Sequence, residues 1–435
     1  MNKTPKQWIC LVFIVLLVSL VMSAVSENTD DVHAWTELAE EALRKEDYET
    51  AFHYYELAAN AGNIEAQFII GGCYFYGSGT DQSYEKAAEY LSLAADQGDP
   101  KAQAWLGRIY YYGLASEQDY EKALKYLLLA ADQGNADAQQ MLGEMYFYGN
   151  GVDQSLETSL EYTRLAAEQG NAPALYDLGW LYDNGIGVEQ DYGAALKYYL
   201  AAAEQGHSGA LSNLGWMYEQ GRGVPQSYEK AAEYYQLAAD RGNVIAQTNL
   251  GVLYDYGDGV PQSYKKAAEC YQLAADQGYA PAQTNLGLLY EYGDGVPQSY
   301  EKAAELYQLA ADQGYAPAQA NLGLLYEFGD GVELSYDKAL EYFRLAADQG
   351  NAAGQWGLGQ MYQFGLGVDI SYEKAAEYYQ LSADQNDPDG LECLGYLYLN
   401  GLGVEQSMDR AMELYRLAAA LGSEEAQRQL EIYGN

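Results

Sequence analysis

Glycine recurs along this chain at a constant interval of 36 residues. One series runs from Gly62 to Gly422, with Asn386 at the one position that lacks glycine, and a second series runs from Gly71 to Gly395. No insertion interrupts the register. A fixed period of this length is typical of stacked supersecondary units, each too small to bury its apolar residues without its neighbours. We therefore predict one tandem array, although the length alone would suggest roughly two or three domains.

Each unit contains two predicted α-helices, which we call helix A and helix B. In the unit 62–97, Ala66 and Ile70 belong to the apolar stripe of helix A, and Ala87 and Leu91 belong to that of helix B. The residue before helix B is serine or aspartate in every unit, as expected of a helix N-cap. The glycine that follows helix B suits the left-handed conformation that ends a helix.

The Gly71 series lies within helix A, where glycine costs up to about 1 kcal/mol relative to alanine. Its presence in ten units predicts that another helix packs closely against this position. We expect a bulkier side chain there to push the units apart.

The motif of the repeat is nearly complete in residues 210–242. It consists there of Ala210, Leu214, Gly215, Tyr218, Gly221, Gly223, Val224, Tyr228, Lys230, Ala231, Tyr234, Ala238, Ala239 and Gly242. This pattern resembles the Sel-one-like repeat family, which is related to the tetratricopeptide repeat, over roughly residues 31–432. The resemblance implies an all-α fold, a right-handed α/α superhelical solenoid of about ten helix-turn-helix repeats with capping helices.

The ends of the array differ from its middle. Trp35 and Glu431 stand where the inner units have the close-approach glycine, so neither end can accept a further unit at the same spacing. Terminal units of such arrays turn a polar face to water. We predict an N-terminal capping helix pair over 27–61, tandem repeats over 62–422 and a C-terminal capping helix over 423–435.

Residues 1–26 have a different composition from the repeats. Lys3 and Lys6 precede an apolar run from Trp8 to Met22, which small residues follow. This layout is typical of a secretory signal peptide, and the run is also close to the lower limit for a membrane span, so an uncleaved signal anchor is the alternative. In both cases we expect the repeats to be exported, and the protein to be secreted or held in the cell envelope.

The chain is strongly acidic, with a formal net charge of −40. This charge argues against a nucleic-acid partner, because binding to phosphates needs a basic surface. An acidic residue ends helix B in nine units, from Asp96 to Asp384. These carboxylates form either a solvated ridge or a docking edge for a basic partner or for cations of the cell wall.

One sequence pattern suggests catalysis. Ser-x-x-Lys, the nucleophile signature of penicillin-binding proteins, occurs in six units, for example at Ser83 and Lys86. Six copies are too many for one active site, and Asp119 and Asp191 replace the serine in other units, a change that keeps a helix cap and removes a nucleophile. We therefore predict no enzymatic activity.

Metal and cofactor sites are not predicted. Cys73, Cys270 and Cys393 fall at different positions of different units, and the three histidines supply no paired ligands of the kind that zinc needs. The cysteines are expected to be unpaired thiols. No cofactor is expected.

The outer stripe of helix A indicates a binding surface, because apolar residues occupy positions that point away from the core of the helix pair. These predicted partner-binding residues are Trp180, Trp216, Val252, Leu288, Leu324 and Tyr396. The resemblance implies that the A helices line a concave groove, with Trp180 and Trp216 as its anchors. The alternative is that each A helix uses these residues to pack against the next one.

Four consecutive units place an asparagine beside this stripe. These asparagines are Asn213, Asn249, Asn285 and Asn321. An amide offers two donors and an acceptor, so such a ladder suits the main chain of an extended peptide. Local hydrogen bonds within the repeat are the alternative.

These observations predict an exported, non-catalytic scaffold or adaptor that binds a protein or peptide segment, and that is a monomer. Contact with the membrane is expected only through residues 1–26. The alternative function is an envelope protein or enzyme that binds a cell-wall ligand of the β-lactam type. Self-association through the acidic edge or one end of the array is a third possibility.

Overall fold

The computed structural model describes residues 31–433, and the predicted all-α solenoid fold is confirmed for this part of the chain. It contains 23 helices and no strands, and most are 12 or 13 residues long. From α3 onward, odd-numbered helices are the A helices and even-numbered helices are the B helices. The predicted signal segment 1–26 lies outside the described residues.

The helices form two compact units, the first ending at His207 and the second beginning at Ser208. The helices of the first unit are α1 (31–44), α2 (Tyr48–Asn60), α3 (Ile64–Tyr76), α4 (Tyr84–Asp96), α5 (Pro100–Tyr112), α6 (Tyr120–Asp132), α7 (Ala136–Tyr148), α8 (Leu156–Glu168), α9 (Ala172–Asn184) and α10 (Tyr192–Glu204).

The second unit continues the same alternation of A and B helices. Its helices are α11 (Ser208–Gln220), α12 (Tyr228–Ala239), α13 (Val244–Tyr256), α14 (Tyr264–Ala275), α15 (Ala280–Tyr292), α16 (Tyr300–Ala311), α17 (Ala316–Phe328), α18 (Tyr336–Asp348), α19 (Ala352–Phe364), α20 (Tyr372–Ala383), α21 (Pro388–Asn400), α22 (Met408–Ala420) and α23 (Glu424–Tyr433). Over residues 31–433, no helix combines the length and the hydrophobicity that a membrane crossing requires.

The predicted helix boundaries are confirmed. Ser83 is the N-cap of α4, and its hydroxyl accepts a hydrogen bond from the backbone N–H of Lys86. Gly98, two residues beyond α4, has a φ of +93°. A second glycine, Gly77, ends α3 in the left-handed conformation, which a residue with a Cβ adopts only at a cost.

The close approach at the Gly71 series is also confirmed, but the expected partner was wrong. A Cβ on Gly71 would lie 2.6 Å from Cγ of Leu91, which belongs to helix B of the same repeat. The glycine thus allows the two helices of one repeat to pack, rather than two repeats. A bulkier residue would separate helices A and B within the repeat.

Glutamine side chains connect successive repeats inside each unit. Gln283 is buried in α15, where its Nε2 donates to the carbonyl oxygen of Ala275 in the preceding B helix. Its Oε1 accepts a hydrogen bond of 2.9 Å from Nε2 of Gln313, which follows the next B helix. This glutamine–glutamine bond lies within one repeat and forms in six others, from Gln97–Gln67 to Gln385–Gln355, whereas the bond to the preceding repeat is the one to the alanine carbonyl. A buried polar group therefore sets the register between repeats.

Candidate functional site

The outer stripe of the A helices is partly covered by the fold itself. In the second unit, Val252, Leu288 and Leu324 are half-buried and pack against hydrophobic clusters formed by the neighbouring helices. Tyr396 is exposed. These side chains therefore contribute to helix packing, as the alternative interpretation stated, and also leave apolar area on the surface.

Trp216 has a cationic neighbour in its own repeat. The guanidinium carbon of Arg222 lies 4.2 Å from the centroid of the half-buried Trp216 ring. A guanidinium over an indole face is a favourable cation–π contact. Arg222 thus already covers one face of this predicted anchor.

The asparagine ladder has partners inside the fold. Asn213 is half-buried in α11, and the next three asparagines each hydrogen-bond a tyrosine hydroxyl of the preceding B helix. The pairs are Asn249–Tyr235, Asn285–Tyr271 and Asn321–Tyr307. Local bonding therefore accounts for part of the capacity of each amide, and a grip on a peptide main chain stays a prediction.

The same buried tyrosines donate hydrogen bonds to acids on helix A. Tyr307 is fully buried, and its hydroxyl lies 2.7 Å from Oε2 of Glu291. Tyr235 and Glu219 form an equivalent bond of 2.7 Å. Burial raises the pKa of Tyr307 and, to a lesser extent, that of Glu291. These tyrosines stay protonated at neutral pH and act as structural hydrogen-bond donors.

The Ser-x-x-Lys residues also have structural contacts. Ser83 caps α4, as described above. The Nζ of Lys86 lies 4.9 Å from the centroid of the Tyr74 ring. The same lysine–tyrosine contact recurs in six further repeats at 4.6 to 5.1 Å. The motif is therefore explained by a helix cap and a cation–π contact.

Sequence reasoning missed a row of exposed aromatic side chains at the last residue of the A helices. In the second unit we call this row the aromatic strip: Tyr256, Tyr292, Phe328 and Phe364, which are 58% to 74% exposed. Tyr76, Tyr112 and Tyr148 hold the same position in the first unit and are exposed as well. The sequence did contain a signal for this row, because an aromatic residue directly precedes the glycine that ends helix A in several repeats. At that position the helix ends and the ring is left largely exposed.

In the first unit, the predicted anchor Trp180 lines a cavity of about 270 Å³. Helices α7, α8 and α9 line it, and Glu144 and Asp177 contribute carboxylates to its wall. Phe147 packs edge-on against Trp180, with ring centroids 5.8 Å apart. The cavity combines an aromatic surface with negative charge, and Tyr148 connects it to the exposed aromatic column.

A second cleft, of about 330 Å³, lies beside Tyr396 in the second unit. Gln360, Cys393 and Glu425 are among its lining residues. Burial raises the pKa of the Cys393 thiol to about 12, so it stays protonated and is a poor nucleophile. Oε1 of Gln360 is buried without a hydrogen-bond partner in the described structure.

The repeats match a protein-family model described as the Sel1 repeat. The matched segments are 41–63, 64–99, 100–135, 136–171, 172–207, 208–243, 244–279, 280–315, 316–351, 352–387 and 394–423. Among functionally curated proteins, none is significantly similar in sequence.

Two solved structures are similar to the chain over most of its length. One is c5321, a protective antigen of uropathogenic Escherichia coli strains with an SLR fold; it is 32% identical, with a TM-score of 0.69 over 96% of this chain and 93% of that one. The other is a Sel1 repeat protein from Oxalobacter formigenes, also 32% identical, with a TM-score of 0.51 over 71% of this chain and 89% of that one.

Proposed function

Because the chain belongs to the Sel1 repeat family, whose members generally mediate protein–protein interactions, we propose that it is an exported, non-catalytic scaffold that binds a segment of another protein. The binding surface in the second unit consists of the aromatic strip and the adjoining outer stripe of the A helices. The predicted residues Trp216, Val252, Leu288 and Leu324 belong to that surface.

The aromatic strip is the observation that carries this proposal. Four large rings stand mostly in water in four consecutive repeats, where they cost solubility and contribute little to the core. Aromatic residues dominate the energetics of protein interfaces, since a large apolar area is ordered at a low cost in side-chain entropy. A row of such rings suits an elongated partner that crosses several repeats.

Two observations support export. Residues 1–26 have the layout of a signal peptide, and the similar protein c5321 is described as a protective antigen. Fractionation of cells that express the full chain tests this part of the proposal. Recovery of the protein in the cytoplasm alone would contradict it.

The binding test compares two triple variants. Peptides that bind the full chain are first selected from a random displayed library. Their affinity is then measured for the aromatic triple variant, which combines Tyr256→Ser, Tyr292→Ser and Phe328→Ser, and for the leucine triple variant, which combines Leu237→Ser, Leu273→Ser and Leu309→Ser. The leucines are also exposed and lie on B helices, so they form a matched apolar control. We expect the aromatic triple variant to weaken binding by about tenfold or more and the leucine triple variant to leave it unchanged. Equal affinities for both variants, or loss only in the leucine variant, would reject this surface.

A further inference from the structure

The cavity beside Trp180 exists because one repeat lacks a large side chain. Thr163 of α8 stands where the two preceding repeats have Leu91 and Leu127, which fill the space beside the glycine of helix A. The Oγ1 of Thr163 donates to the carbonyl oxygen of Ser159 at 2.8 Å, so its polar atom is already bonded within the helix. Because threonine is smaller than leucine, part of this space stays unfilled and forms the pocket.

Two carboxylates face this pocket without a cation. Oδ2 of Asp177 accepts a hydrogen bond of 2.9 Å from Gln140, and Oε1 of Glu144 accepts one of 3.4 Å from the Tyr111 hydroxyl. Neither forms an ion pair with any residue in 31–433. Burial raises the pKa of Asp177 to about 6 and also raises that of Glu144, and each ionised carboxylate would be stabilised by a positive charge.

The other wall is aromatic. Phe147 and Trp180 form an edge-on pair, and Tyr148 completes the apolar side of the cavity. Ring faces attract cations, and the attraction grows when water is excluded. At about 270 Å³ the space is smaller than the roughly 300–1,000 Å³ of pockets that hold drug-sized ligands, so it suits a single side chain.

We propose that this pocket binds the guanidinium group of an arginine side chain on a protein partner, with Glu144 and Asp177 as its hydrogen-bond acceptors and Trp180 as the ring beside it. The inference rests on the proposed function, since the arginine belongs to a protein that the scaffold binds. A planar guanidinium both stacks on aromatic rings and donates several hydrogen bonds in fixed directions, which a lysine ammonium does not. The net charge of −40 also favours the approach of a basic partner.

The test uses N-acetyl-L-arginine amide as the probe and N-acetyl-L-citrulline amide as its uncharged isostere. The indole N–H signal of Trp180, assigned by its loss in Trp180→Phe, is followed by NMR during titration of the full chain at pH 7.5. We expect saturable shifts with the arginine probe, at a dissociation constant on the order of 1 mM, and no saturation with citrulline. Binding of the citrulline probe at equal strength, or tighter binding of N-acetyl-L-lysine amide, would overturn the assignment.

Three pocket variants and one control complete the test. Asp177→Asn and Glu144→Gln keep the side-chain shape and should each weaken binding by about tenfold. Thr163→Leu restores the residue of the preceding repeats and should abolish binding by filling the space, whereas Asp132→Asn on the exposed end of α6 should change nothing. Unchanged affinity in the pocket variants would reject the pocket. Failure of the arginine probe to bind, together with peptide binding that depends on the aromatic strip, would reject only this inference and leave the proposed function standing.

Discussion

Glu327 is a buried acid that has lost the partner found in the neighbouring repeats. It is 7% exposed, and its Oε2 has no hydrogen-bond partner in the described structure. Glu291, at the same position one repeat earlier, is bonded to Tyr307, whereas Phe343 stands at the equivalent position beside Glu327. Burial without a donor raises the pKa of Glu327 to about 7. One missing hydroxyl thus changes the protonation of a carboxyl at neutral pH.

Phe343→Tyr should stabilise the protein by supplying this donor. A hydrogen bond to a charged acceptor contributes about 1.5–3 kcal/mol, so we expect a gain of that order at pH 8, measured by urea unfolding. Tyr307→Phe is the converse variant and should lose a similar amount, because it leaves Glu291 without its donor. A loss of stability in Phe343→Tyr would show that the hydroxyl does not reach Glu327.

Glu327 should also make stability depend on pH. Its pKa is about 7 in the folded chain and near 4.5 when the carboxyl is free, so the folded state holds the proton more tightly. Its contribution to stability is therefore fully present below about pH 4.5 and is lost as the pH rises to about 7. We expect Glu327→Gln to gain stability relative to the parent protein across this range and to level off above it. A constant difference between pH 4.5 and pH 8 would contradict the assignment.

At the scale of the helix pair, two adjacent glycines of α3 differ in whether the packing requires them. A Cβ on Gly71 would meet Leu91, whereas a Cβ on Gly72 would find no atom within 4 Å. Glycine inside a helix is unfavourable unless a close approach requires it. The packing of helix A on helix B therefore depends on Gly71 and not on Gly72.

Gly71→Ala should destabilise the first unit by about 1–3 kcal/mol, because the added methyl group forces the buried Leu91 to move. Gly72→Ala should instead add up to about 1 kcal/mol through helix propensity. Thermal unfolding followed by circular dichroism measures both variants. If the two substitutions had the same effect, helix propensity rather than the close contact would determine stability at this position.

At the scale of the whole molecule, acidic residues greatly outnumber basic residues. The chain has 63 acidic and 23 basic residues, and each of the six lysine or arginine ion pairs in 31–433 joins residues three or four apart in the sequence. Such exposed local pairs contribute little to stability. Repulsion among the remaining carboxylates should therefore weaken the fold at low ionic strength.

We expect the melting temperature to rise by several degrees when NaCl increases from about 10 mM to about 150 mM, since the Debye length falls from about 30 Å to about 8 Å. Sodium sulfate at the same ionic strength is the control, because screening depends on ionic strength rather than on the anion. A melting temperature that does not respond to NaCl would show that the acidic residues are too far apart to repel each other.

The repeat and the residues that begin and end its helices could be predicted from the sequence, whereas the pocket could not. Ser83 and Gly98 act through the local backbone, so their roles follow from their positions in one repeat. The cavity at Trp180 instead depends on the small volume of Thr163 in a different helix, which only packing reveals. The asparagine–tyrosine pairs left a signal that was not used: where Phe343 replaces the tyrosine, Gly357 replaces the asparagine that would bond it.

The glutamine bonds between repeats have a consequence for how such a chain can change in length. Gln247, Gln283 and Gln319 each donate from Nε2 to the carbonyl oxygen of the last residue of the preceding B helix, at 3.2 to 3.4 Å. Residues 260–295 and 296–331 are nearly identical, so unequal recombination between their coding segments can add or delete one whole repeat. The new junction would carry the same glutamine–carbonyl bond as the old ones, and the reach of the binding surface could evolve in whole steps without redesign of any contact.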